Sequence, residues 1–70
     1  MSREYIKLLL KLTKINNPEL VTAVMMQLCD GVPQKEAAFI CGVKPSAISR
    51  LVKRLNEIED IIAEINKINT

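Results

Sequence analysis

Apolar side chains recur along this chain at separations of three and four residues. Tyr5, Ile6, Leu8, Leu9, Leu10 and Leu12 form a first cluster, Val21, Val24, Met25 and Leu28 a second, and Ile48, Leu51, Val52 and Leu55 a third. That spacing is the repeat of an α-helix seen from one side. The first cluster predicts a helix over residues 2–13, whose apolar stripe is too wide for one neighbour to cover. Asn17, Pro18 and Glu19 then read as a fresh start: a capping amide, a proline with its φ already helical, and an acid at the positive end of the dipole. The second helix closes at Gly31, a residue suited to a left-handed cap. Pro33 opens a short third helix over residues 34–41, and Gly42 ends it. From Pro45 no glycine or proline interrupts the sequence again, so a fourth helix can run for about 20 residues, or roughly 30 Å. The expectation is an all-α, four-helix single domain. No repeat, low-complexity tract or linker divides it.

Composition agrees and narrows the chemistry. Apolar residues make up 49% of the 70 residues, yet Tyr5 and Phe39 are the sole aromatics, so the core is built from aliphatic side chains as in packed helices. A chain this short lies near the lower limit for a self-sufficient core, which makes self-association reasonable. Histidine is absent, removing the commonest general base and metal ligand. Cys29 and Cys41 are too few for a four-ligand zinc site and fall on apolar helix faces, where reduced, buried thiols are expected. Neither an enzyme, a metal site nor a cofactor is expected. The apolar run near the start is broken by charges and followed by no small-residue cleavage site, so neither a secretory signal nor a membrane span is read there, and a cytoplasmic protein is expected.

The formal net charge of +2 conceals a strong segregation. Lys35, Lys44, Arg50, Lys53 and Arg54 face Glu36 alone, whereas Glu57, Glu59, Asp60 and Glu64 dominate the tail. On the first helix Arg3, Lys7 and Lys11 recur every fourth residue and line one side. One patch is suited to a polyanion, and the acidic tail is kept away from it or paired with the basic first helix.

The stretch QKEAAFICGVKPSAISRLVKRL, residues 34–55, fits a helix-turn-helix. Two steeply crossing helices with a short turn need a small residue at their closest approach, here Ala38, and a residue tolerant of positive φ at the turn, here Gly42. Val43, Ile48, Leu51 and Val52 turn inward, leaving Ser46, Arg50 and Lys53 outward with Ser49 and Arg54 on the flanks. Small polar residues at the start of a helix can enter a DNA groove. Ser46 and Ser49 can approach base edges or phosphates, and Arg50 can reach a guanine or an A·T-rich minor groove. Lys35, Lys44, Lys53 and Arg54 suit phosphates, as does Gln34 at the start of the supporting helix. Lys44 is a poor cap for the recognition helix, at a cost of about 1 kcal/mol unless a phosphate binds there.

Past this segment Ile48, Leu51, Leu55, Ile58, Ile62 and Ile65 are separated by 3, 4, 3, 4 and 3 residues, a heptad seam broadened by Ile61 and Ile68. A helix projecting beyond its own core would leave the later isoleucines wet, so Ile58, Ile61, Ile62, Ile65 and Ile68, with Leu9 on the first helix, are candidates for contact with a second copy. The competing arrangement folds the tail back on the first helix of the same chain.

The segments LLLKLTKI, ELVTAVMMQLCDGVPQKEAAFICGV and ISRLVKRLNEI give the chain a resemblance to the adhesin-biosynthesis transcriptional regulators of the PapB type, which control fimbrial operons of enteric bacteria. It extends over most of the sequence and departs from the family pattern at the turn KPSA. The resemblance implies an all-helical fold and oligomeric binding to repeated A·T-rich promoter sites in double-stranded DNA. The alternative reading is a protein-interaction module or co-regulator that uses its apolar terminal helix without touching DNA.

Overall fold

The computed structural model describes residues 2–69. It contains four helices: α1 Arg3–Thr13, α2 Pro18–Asp30, α3 Gln34–Cys41 and α4 Pro45–Ile68. Local chemistry accounts for most of the boundaries. Ser2 caps α1 by accepting from the Tyr5 amide at 3.2 Å. Asn17 caps α2 in the same way, accepting from the Leu20 amide at 3.2 Å, with Pro18 in the first turn. Gly31 and Gly42 end α2 and α3 in the left-handed region, at φ 71° and 68°. A Cβ built on Gly42 would meet nothing within 4 Å. The glycine therefore serves the backbone angle and not a close approach. The end of α1 is less regular: Lys14 takes the left-handed conformation without being glycine, its amide donating to the Lys11 carbonyl at 3.3 Å.

The core joins all four helices. Ile6, Leu9 and Leu10 of α1 meet Leu20, Ala23, Val24 and Met25 of α2, Ala37 and Ala38 of α3, and Ile48, Leu51 and Leu55 of α4. The expected small residue in α3 is thus a pair: Ala37 is fully buried beside Ala38, allowing the short helix to lie close to its neighbours. Val21, Leu28, Val43 and Val52, expected to face inward, are half-buried at the edge of this cluster. Cys29 and Cys41 are free thiols and likewise half-buried, with the Cys41 Sγ 3.6 Å from the Met26 Sδ. Arg3 pairs with Asp30 at 3.0 Å, tying the start of α1 to the end of α2. Both partners are exposed, so this bridge contributes at most ~1 kcal/mol.

The molecule is longer than its core. Its extents are 42 × 22 × 18 Å, because the 24 residues of α4 exceed what the other helices can cover. Every residue from Ala63 to Asn69 is exposed.

Candidate functional site

The α3–α4 hairpin is joined by residues 42–44. The Val43 amide donates to the Ala38 carbonyl at 3.0 Å, closing the end of α3. One side chain then bridges the two helices. The Gln34 amide nitrogen donates to the Pro45 carbonyl at 2.8 Å and to the Ser49 Oγ at 2.7 Å. These two bonds engage both of its protons, since a glutamine amide has two. The Gln34 side chain is therefore a brace between the helices, with its amide protons already engaged, and only its backbone N–H at the start of α3 is left to meet a phosphate. Ser49, with its oxygen accepting from Gln34, keeps its own hydroxyl proton to donate outward.

Burial along the first half of α4 follows the helical wheel. Ile48, Leu51 and Leu55 are 0%, 5% and 0% exposed, whereas Ser46, Ser49, Arg50, Lys53 and Arg54 are all exposed. Lys35 at the start of α3 and Lys44 at the turn are exposed as well. Lys44 makes no side-chain cap bond, and Pro45 occupies the first turn of α4 in its place. No acid occupies that first turn. The positive end of the helix thus carries Lys44 and no acid, and Arg50, Lys53 and Arg54 follow in the second and third turns.

The apolar candidates separate into two groups. Leu9 is 1% exposed and belongs to the core of its own chain, because α1 turns it onto the other helices. It is unavailable to a partner, contrary to expectation. Ile58 and Ile62 are half-buried and pack against the same core, so the early part of the tail, still within the unbroken α4, is partly covered by its own chain. Ile61, Ile65 and Ile68 are 57%, 50% and 83% exposed and remain the uncovered stripe. Leu8 and Leu12 form a similar exposed pair, one turn apart on α1. Sequence periodicity did not single out Phe39 and Ile40, the exposed apolar residues of α3. Their signal was available, since both lie off the face that Ala37 and Ala38 turn to the core.

Among the described residues there is no cluster of histidine, cysteine and acidic groups able to hold a metal, and no helix long and apolar enough to cross a membrane. The surface depressions are shallow and lined by apolar and cationic side chains, with Glu4 the one acid among them. The fold and site define a class: an all-α, four-helix domain with a braced helix-turn-helix hairpin and a protruding terminal helix. No family model matches the sequence, and neither a curated protein nor a solved structure matches it significantly.

Proposed function

We propose that this protein is a transcriptional regulator that binds double-stranded DNA through the start of α4, and that it acts as a homodimer or higher oligomer. The observation that carries the reading is the division of α4 into a buried aliphatic face and an exposed face of Ser46, Ser49, Arg50, Lys53 and Arg54. A rigid mount is what groove recognition requires, and the Gln34 brace supplies it. Ser46, Ser49 and Arg50 read bases or groove shape, while Lys35, Lys44, Lys53 and Arg54 neutralise phosphates. Fimbrial or other adhesin operons are the proposed targets, on the strength of the sequence resemblance to PapB-type regulators.

A single module of this size binds weakly. Self-association through Ile61, Ile65 and Ile68 of α4 would present two recognition helices to successive sites and raise the effective concentration of the second. A second reading, a protein-interaction module without DNA contact, draws its support from Phe39 and Ile40, which are 88% and 63% exposed.

Duplex binding measured across a salt series separates these readings. The double variant Arg50→Ala, Lys53→Ala is expected to weaken binding to an A·T-rich duplex by at least ~10-fold and to reduce the salt slope by about 1 for each phosphate left without its cation. Preference of the wild-type protein for its own site over random duplex is expected to reach about 1000-fold or more. Unchanged affinity and slope in the double variant would remove the DNA assignment.

A further inference from the structure

Ile15, at the corner between α1 and α2, lines two neighbouring depressions. The first is formed with Lys7, Leu10, Lys11 and Val21. The second is formed with Leu20, Ala47, Arg50, Leu51 and Arg54. One half-buried isoleucine therefore has a pair of lysines on one side and a pair of arginines on the other. Each pair is spaced i, i+4 on its own helix, so its members project from one helix face, about 5–6 Å apart at Cβ. No acidic side chain lines either depression. Among the described residues, none of these four cations forms an ion pair, whereas Arg3, the remaining member of the basic face of α1, is held by Asp30. Glu4 shares a neighbouring depression with Lys7 and Lys11 and forms no ion pair with either, so four cations against one nearby acid leave a net positive surface that a polyanion laid along them would neutralise.

We propose that the basic surface of α4 continues across the α1–α2 corner, and that one sugar-phosphate strand of a bound duplex runs from Arg54, beside the groove-reading Arg50, over Ile15 to Lys7 and Lys11. This strip rests on the DNA-binding reading and extends it to a helix outside the helix-turn-helix. Phosphate neutralisation carries no base information, so the strip contributes affinity and orientation while α4 supplies selectivity. Arg3, engaged with Asp30, lies at the far end of the same helix face and marks where the strip stops.

The test is a salt titration of duplex binding by the wild-type chain, by Lys7→Gln with Lys11→Gln, and by Arg3→Gln. The lysine pair is expected to lower the magnitude of the log-affinity against log-salt slope by about 1.8, two phosphates at about 0.9 each. The ratio of specific to random binding should stay unchanged, as should the helical circular dichroism. Arg3→Gln should leave the slope where it was. If the wild type binds with a clear salt dependence and the lysine variant keeps the same slope, the strip is wrong and the α4 reading stands. An equal loss in Arg3→Gln also overturns it, since diffuse positive charge would then explain the effect. Absence of any salt-dependent binding by the wild type removes the strip and the DNA reading together.

Discussion

Ile48→Ala is expected to destabilise the protein by ~2–5 kcal/mol, the range for truncating a fully buried aliphatic side chain and leaving a cavity. Ile48 has no exposed surface and belongs to the cluster that seats α4 on the other helices. A chain of 70 residues has a total stability of roughly 3.5–10 kcal/mol at ordinary per-residue values. The variant should therefore unfold at markedly lower urea concentration. Glu57→Ala makes the comparison on the same helix: its side chain is exposed and lies outside the proposed contact stripe, so its transition should lie within ~0.5 kcal/mol of wild type. Denaturation followed by far-ultraviolet circular dichroism measures both. Equal losses for the two variants would mean that the packing of α4 is misassigned.

The second large effect concerns assembly. Ile61→Asp combined with Ile65→Asp is expected to convert a dimer or higher oligomer to monomer at the same protein concentration, read by sedimentation equilibrium. These residues are half or more exposed within one chain, so charging them should leave its fold intact. In an interface each would bury a carboxylate without a partner, a cost of several kcal/mol per group. Ile58→Asp is the contrasting change. That side chain packs on the protein's own core, and its variant should lose stability as well. A wild-type protein already monomeric, or a double variant of unchanged mass, would exclude the α4 stripe as the contact between copies.

The elements were legible where a single residue constrains the backbone. Asn17 and Pro18 announce α2, Gly31 and Gly42 end their helices because only a residue without a Cβ takes positive φ readily, and the unbroken run after Pro45 gives the length of α4. Lys14 carries no such mark. Its left-handed cap is imposed by the way α1 must turn into α2, and no local preference predicts it.

The candidate site was legible in outline for a similar reason. Once Ile48, Leu51 and Leu55 are inside, helical geometry puts Ser46, Arg50 and Lys53 outside. Interactions between helices were harder to see. The bond from Gln34 to Ser49 spans 15 residues and depends on how α3 crosses α4, so residue type alone offered either a phosphate contact or a brace. The isoleucines of the tail posed the same problem. Their stripe is wider than one contact, and the position of the other helices decides that Ile58 and Ile62 are half-covered while Ile61, Ile65 and Ile68 are left out. Leu9 was misassigned because a broad apolar helix does not reveal which of its edges meets its own core.

Whether the outward face of α4 meets DNA can be read residue by residue, by titrating an A·T-rich duplex into isotopically labelled protein and following each amide resonance. The largest shifts should fall on Ser46, Ser49, Arg50 and Lys53, and Ile68 should stay unmoved. Shifts confined to Phe39, Ile40 and the end of α4, or no shifts under low-salt conditions, would contradict the account.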